Sequence, residues 1–287
     1  MRLKTRAKFK PSSVKGGKPS VSSAKNGIHA DFKPRVKPSP RYDDLIAGLH
    51  TVHAVLQQAP ETIKQLLISA KITLTDDEER LIAASGAEVT RLEMEALTKL
   101  TGFMQHQGWA ARVRRQLLAF HPETELAQIV AARGQDALFL VLDQVQDPHN
   151  LGACWRSANA FGVDAIIVPK DHTCPVTPVV TKASAGALLT PPIVAVTNLA
   201  RCLQQLKKLN VWVYGFDERG ASALGTVKLA AGPTALVFGS EGSGIRQLVL
   251  KQCDARVRIP MLGSVPCLNV SVAVSVSLYA VQQQRDH

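Results

Sequence analysis

Aromatic residues are scarce in this chain. They make up 5% of the 287 residues, within a hydrophobic share of 46%. Any core must therefore be built from Leu, Val, Ile and Ala. No apolar run reaches the roughly 18–20 residues that span a bilayer. The charged N-terminus has no apolar stretch behind it, so neither a membrane partner nor a secretory signal is expected. The five cysteines are Cys154, Cys174, Cys202, Cys253 and Cys267. No two are spaced as CxxC, and no Cys/His cluster has metal-ligand spacing. An odd, scattered set points to reduced thiols in the cytoplasm and to no metal.

Acid is what the first 41 residues lack. They hold 12 of the 34 Lys and Arg but only one of the 23 acids, Asp31, so the remainder carries 22 of each sign. The formal charge of +11 therefore belongs to this tail. A polycation attracts phosphate by counterion release, without reading sequence, and points to nucleic acid. A tail that merely aids solubility is the plainer alternative. Rich in Lys, Ser, Pro and Gly, 1–41 reads as disordered.

From 42 to 115 the composition turns globular. Asp43 or Asp44 reads as the cap of a helix carrying Leu45, Ile46, Leu49, Val52, Val55 and Leu56 on one side. Strands are expected at 65–69, 88–92 and 109–113, with helices at 76–84 and 94–100, which makes a small α/β unit. The stretch 116–135 reads as a linker running into a weak helix. From 136 to 287 the pattern is stronger. Ala137 to Leu142 is a nearly unbroken apolar run, which suits a buried parallel strand. Further strands are expected at 165–168, 193–196, 211–216, 234–238 and 255–259. Helices are expected at 151–161, 199–209 and 245–251, with a loop and helix over 176–187. A long apolar helix at 268–284 closes the chain. This alternation predicts a parallel sheet covered on both faces.

Three polar stretches interrupt it. The first contains Asp143, Asp147, Pro148, His149, Asn150, Leu151, Gly152, Ala153 and Arg156, where the first strand gives way to a helix. Open parallel sheets bind ligands outside the carboxyl ends of their strands. Alone, Asn150 reads as a helix cap and Arg156 as half of a surface ion pair. The second stretch is Gly239, Ser240, Glu241, Gly242, Ser243 and Gly244. Glycines at a strand–helix turn let backbone approach a ligand closely. This is neither the GxGxxG of a dinucleotide fold nor the GK[ST] of a phosphate loop. Glu241 would repel a polyphosphate but suits a cationic or hydroxyl-rich ligand. The third runs from Ile259, Pro260 and Met261 through Gly263, Val265, Cys267 and Leu268 to Asn269, Val270 and Ser271. Alone it reads as a capped helix start. Yet Asn269 and Ser271 enter an otherwise apolar helix, where polar groups need partners.

In this order and spacing the three stretches resemble motifs one, two and three of the SpoU/TrmH family. Its members are RNA ribose 2′-O-methyltransferases that use S-adenosylmethionine. The resemblance covers about 137–284, and Lys182 to Ala187 is similar to a further family segment. Gly48, Leu49, His50, Val52, Ala54 and Val55, with His106, Gln107 and Gly108, resemble the RNA-recruiting domain of one branch. That branch methylates a guanosine of bacterial large-subunit ribosomal RNA. The resemblance implies an α/β protein whose parallel-sheet methyltransferase domain, at 136–287, is a trefoil knot. A small α/β RNA-recruiting domain at 42–115 precedes it. It also implies a homodimer with the active site at the subunit interface. Cofactor contacts are implied at Gly239, Ile259, Met261 and Leu268, largely through backbone. The implied catalytic set is Asn150, Arg156, Glu241, Asn269 and Ser271.

A ribose hydroxyl is a weak nucleophile, and alignment of the reacting atoms supplies much of the rate. The resemblance casts Arg156 as the group that activates it. A guanidinium holds its proton too tightly to be a good base. Arg156 is therefore expected to hold the adjacent phosphate and stabilise the developing alkoxide, with Asn150 and Glu241 orienting it. One residue departs from the family pattern. Cys267, after Pro266, stands where the family has Ser, and a thiol is the weaker donor. The expected reaction is methylation of a guanosine 2′-hydroxyl in 23S ribosomal RNA. The alternatives are a tRNA ribose methyltransferase and a non-catalytic RNA-binding or ribosome-assembly protein.

Overall fold

The computed structural model describes residues 44–103, 105–229 and 231–285. The basic stretch 1–41 lies outside the described residues. The N-terminal elements are β1 (Leu45–Ala47), α1 (Leu49–Gln58), β2 (Ile63–Ser69), α2 (Asp76–Ser85), β3 (Glu88–Leu92), α3 (Met94–Thr101) and β4 (Trp109–Val113). They form a four-stranded sheet in the order β1-β4-β2-β3. α2 begins on a capping box, in which Thr75 and Glu78 satisfy each other's backbone N–H at 3.3 and 2.8 Å.

The helix expected from Asp43 or Asp44 begins only at Leu49. Before it, β1 lies antiparallel to β4 with all three residues buried. The reason is that the core here has two sides. Leu45 and Ala47 enter the small core with Leu97, whereas Ile46 enters the main core with Val52 and Val55. Alternation between opposite faces is a strand's geometry, whereas a helix turns successive residues by about 100° and returns to one face only every three or four. Gly48, at φ 102°, turns the chain into α1.

The stretch 116–135 is not bare chain. It contains α4 (Glu125–Arg133), and His121 forms a parallel rung beside Val194, donating to Ile193 O at 2.8 Å.

The second set is β5 (Leu138–Asp143), α5 (Pro148–Ala160), β6 (Ala165–Pro169), α6 (Pro178–Ala183), β7 (Ile193–Val196), α7 (Leu199–Lys208), β8 (Trp212–Phe216), β9 (Ser222–Ala223), β10 (Thr234–Gly239), α8 (Gln247–Leu250), β11 (Ala255–Arg258) and α9 (Val270–Arg285). Its seven strands run β7-β6-β5-β10-β8-β11-β9, and every adjacent pair is parallel. β9 was not foreseen, since two residues carry no readable period. α8 is shorter than expected. β5 shows why its sequence is almost wholly apolar. Leu138, Leu140 and Leu142 face a core shared with Leu151 and Trp155 of α5 and Val274 and Leu278 of α9. Phe139 and Val141 face a second core with Leu199, Leu203 and Leu206 of α7. Both faces are covered, as parallel sheets require.

The first core is continuous with the N-terminal sheet, since it also holds Ile46, Val52 and Val55. The two sets of elements meet at α1 and α6. Thr51 Oγ1 donates to Thr181 O at 2.8 Å in a buried position. Gly186, at φ 97°, lies so near that a Cβ there would be 2.9 Å from Ala54 Cβ. Among the described residues no helix is long and apolar enough to cross a membrane.

Candidate active site

β5 and β10 are central neighbours, and the last residue of each, Asp143 and Gly239, are paired in register. The loops beyond them therefore leave the sheet side by side. After β5 the chain enters α5 through Asp147, whose carboxylate accepts the N–H groups of His149 and Asn150 at 2.7 and 3.1 Å. Pro148 follows at the first helical position. Asp147 is thus the cap, not Asn150. Asn150 lies in the first turn of the helix, 9% exposed, with its side-chain amide free for other work.

That amide joins the three polar stretches. Asn150 Nδ2 donates to Glu241 Oε1 at 3.0 Å. Asn269 Nδ2 donates to Glu241 Oε1 at 2.6 Å and to Asn150 Oδ1 at 2.9 Å. Asn269 Oδ1 accepts from the backbone N and the hydroxyl of Ser271 at 2.9 and 2.6 Å. Asn269 therefore caps the start of α9 with its oxygen and binds the other two stretches with its nitrogen. Beside this network is a cleft of about 290 Å³, lined by Gln144, Gln146, Asp147, Asn150, Ser240, Glu241, Ser243 and Val270.

Gly239 is required by the turn it opens. A Cβ at this position would lie 1.9 Å from the carbonyl carbon of Gly244. The loop folds back there, with Ser240 and Gly244 forming an isolated bridge.

Comparison with known proteins identifies the family. The SpoU rRNA methylase family matches residues 137–279, and the RNA 2′-O ribose methyltransferase substrate-binding family matches 45–117. A protein of Xanthomonas campestris pv. campestris named 23S rRNA (guanosine-2′-O-)-methyltransferase RlmB is 44% identical over 243 residues, 84% of this chain and 96% of that relative. The chain belongs to the SpoU rRNA methylase family. A Vibrio cholerae relative with the same name is 41% identical over 85% of this chain and 98% of its own length. Among solved structures, an RNA 2′-O ribose methyltransferase superposes with a TM-score of 0.68 at 28% identity, covering 85% of this chain and 89% of that one. The SpoU methyltransferase AviRb of Streptomyces viridochromogenes, solved with AdoMet, has the same fold, with a TM-score of 0.68 at 24% identity over 84% of this chain and 90% of its own.

Of the residues singled out from the family resemblance, Asn150, Glu241, Asn269 and Ser271 come together. Arg156 does not join them. It is exposed and makes no hydrogen bond or ion pair among the described residues. It is neither the surface ion pair of the plain reading nor oriented by Asn150 and Glu241. Six positions along a helix bring it roughly 120° round from Asn150, which explains the separation. Gly239 directly precedes Ser240 of the cleft wall but does not itself line the cleft. Ile259 follows β11, Met261 is exposed, and Leu268 is half-buried just before α9, and none of these three lines the cleft.

One pair was missed in the sequence. Asp143 is fully buried, yet its carboxylate accepts from Arg246 three times. The backbone N and Nε donate at 2.9 and 2.8 Å, and Nη2 lies 2.6 Å away. The available signal was a single acid ending an otherwise apolar buried strand, which demands a partner. The buried thiols are poor nucleophiles. Burial pushes Cys154 and Cys202 up to about 12 and Cys174 to about 11. Cys267, just before the Leu268–Asn269 pair, is exposed.

Proposed function

We propose that this protein transfers a methyl group from S-adenosylmethionine to a ribose 2′-hydroxyl of RNA, and that its substrate is a guanosine of 23S ribosomal RNA. The observation that carries the reading is the Asn150–Glu241–Asn269 network. It ties three stretches, far apart in the chain, around one cleft at the ends of the central parallel strands. The relatives that share 40–44% identity over most of the chain carry the matching name.

The residues present fit the cofactor. The cleft lies where parallel sheets bind nucleotide-like ligands, beside a turn in which a Cβ at Gly242 or Gly244 would meet nothing within 4 Å. We read Gly239, Ile259, Met261 and Leu268, which lie outside the cleft's lining residues, as further contacts made through backbone. When bound, S-adenosylmethionine supplies an electrophilic methyl group on a sulfonium. The chain's own residues orient the acceptor and stabilise charge. Glu241 is held by two amides through Oε1, and its Oε2 has no hydrogen-bond partner among the described residues. We read it as the acceptor that positions the site's loops. Asn150, Asn269 and Ser271 keep it in place.

Arg156 enters this reading through a second copy of the chain. It makes no hydrogen bond or ion pair among the described residues, and α9 exposes Val272, Val276 and Tyr279, one apolar stripe at helical spacing. A homodimer that covers this stripe leaves the partner's Arg156 as the phosphate-holding and alkoxide-stabilising cation of the site. The same reading includes the trefoil knot between β10 and α9. It takes 42–115 as the RNA-recruiting domain, 116–135 as the linker and 136–287 as the catalytic domain, and places the protein in the cytoplasm.

The test is methyl transfer from labelled S-adenosylmethionine to 23S ribosomal RNA, with mass-spectrometric mapping of the product ribose. A single 2′-O-methylguanosine is expected. Label in tRNA alone, or tight RNA binding without cofactor binding, would overturn the assignment.

A further inference from the structure

We propose that Arg246 is a positioning residue, which clasps the buried Asp143 and so sets where the loop from 239 to 246 holds Glu241. This rests on the reading of the cleft as the methyl-transfer site.

The geometry of the loop makes the case. Its first residue, Gly239, is paired in register with Asp143. Its last, Arg246, returns to the same Asp143 through both backbone and side chain. One residue therefore meets both ends of the loop, Gly239 by strand register and Arg246 through its carboxylate. Between the ends, Ser240 and Gly244 form an isolated bridge, and Ser240 Oγ lies 2.5 Å from Ser243 Oγ. The loop is thus closed at its base and stiffened within. Glu241 lies inside it and meets Asn150 and Asn269.

The partners are also well matched. Asp143 is fully buried and, among the described residues, has no hydrogen-bonding side-chain partner but Arg246. Nε and Nη2 of one guanidinium both approach Oδ1, while the backbone N–H takes Oδ2. A planar fork holds direction as well as distance, which an ammonium does not. Neither residue lines the cleft. Their effect on the reaction must pass through the loop, and so through Glu241 and the backbone that follows Gly239.

The experiment compares Arg246→Met, Arg246→Lys, Asp143→Asn and the double variant Asp143→Asn/Arg246→Met. Calorimetry with S-adenosylhomocysteine reads both affinity and stoichiometry, and steady-state assays read kcat and the cofactor KM. Arg246→Met and Asp143→Asn are each expected to weaken S-adenosylhomocysteine by about tenfold or more at full stoichiometry, with kcat falling as well. The double variant should be no worse than the poorer single, the signature of a coupled pair. Lysine should recover part of the loss by keeping charge without the fork. Unchanged affinity with lowered stoichiometry marks a merely structural role and overturns the proposal, as do losses that multiply in the double variant. If the methionine variant does not fold, the lysine and Asp143→Asn proteins carry the same readouts. Glu241→Gln separates the two readings. Full activity there removes the site itself, whereas loss there with an intact Arg246→Met removes only the clasp.

Discussion

Asn150 and Glu241 stand 91 residues apart in the chain and 3.0 Å apart in space. Their contact orders the rest of the site. A carboxylate oxygen accepts and does not donate, so both asparagines must turn their nitrogens toward Glu241. That leaves Asn150 Oδ1 to accept from Asn269, and Asn269 Oδ1 to accept from Ser271. One acid thus fixes the orientation of two amides and, through them, the start of α9.

Asn150→Ala removes the donor to Glu241 and the acceptor for Asn269 together. The expected outcome is a fall in kcat of about 100-fold, the scale seen when one preorganised polar group leaves an active site. The stability cost should be only about 1–2 kcal/mol, because Asp147 still caps the helix. Single-turnover methylation and thermal melting check the two parts. A loss of activity that merely tracked unfolding would contradict this role.

Arg156→Lys keeps the charge and removes the fork. If Arg156 holds a phosphate in two-point contact, kcat should fall by about tenfold or more, with weaker RNA binding at high salt. Because Arg156 is exposed and makes no hydrogen bond or ion pair among the described residues, the melting temperature should stay within error. Near-full activity with unchanged RNA affinity would falsify the two-point phosphate role.

Gly152→Ala tests packing behind the site. Its Cβ would stand 2.4 Å from Ala183 Cβ and 2.6 Å from Val180 O, so α5 must move away from α6. A destabilisation of about 1–3 kcal/mol is expected for such overpacking. Melting should drop by roughly 2–4 °C per kcal/mol in a chain of this size. A variant as stable as the parent would show that the helices can part without cost.

His106 carries the pH dependence. It is buried, Nδ1 accepts the Gly108 N–H at 3.1 Å, and Nε2 lies 3.0 Å from Thr98 Oγ1. That hydroxyl already donates to Met94 O, so it accepts from a neutral imidazole protonated at Nε2. Burial lowers the pKa below its ordinary 6.5. The unfolded chain then binds the proton first as pH falls. This contribution to stability is complete above 6.5 and is lost on acidification below it, toward the lowered value. Melting temperature should decline below that pH, and the slope should flatten in His106→Gln. An equal slope in both proteins would rule His106 out as the source.

Much of the fold was legible in the sequence because burial on both faces leaves a simple mark. β3 and β4 fall at 88–92 and 109–113 and β7 at 193–196, as the patterns required. Short elements were not legible. β1 is three residues, and its apolar side chains satisfy a helical and a strand pattern equally until two separate cores pull them to opposite sides. The cap of α5 was also misplaced, since Asp147 and Asn150 are both good caps and only the helix start decides between them.

The residue types and order of the three polar stretches were written in the sequence, and with them the kind of chemistry the site can do. Their meeting was not. Asn150, Glu241 and Asn269 are separated by up to 119 residues, and only the parallel order of β5 beside β10, with α9 packed on α5, brings their side chains within hydrogen-bond reach. The same tertiary arrangement isolates Arg156 on another side of α5 and buries Asp143 against Arg246. Local pattern sets which face of an element is apolar. Which polar groups then share a space depends on how distant elements pack, and no periodicity in the chain records that.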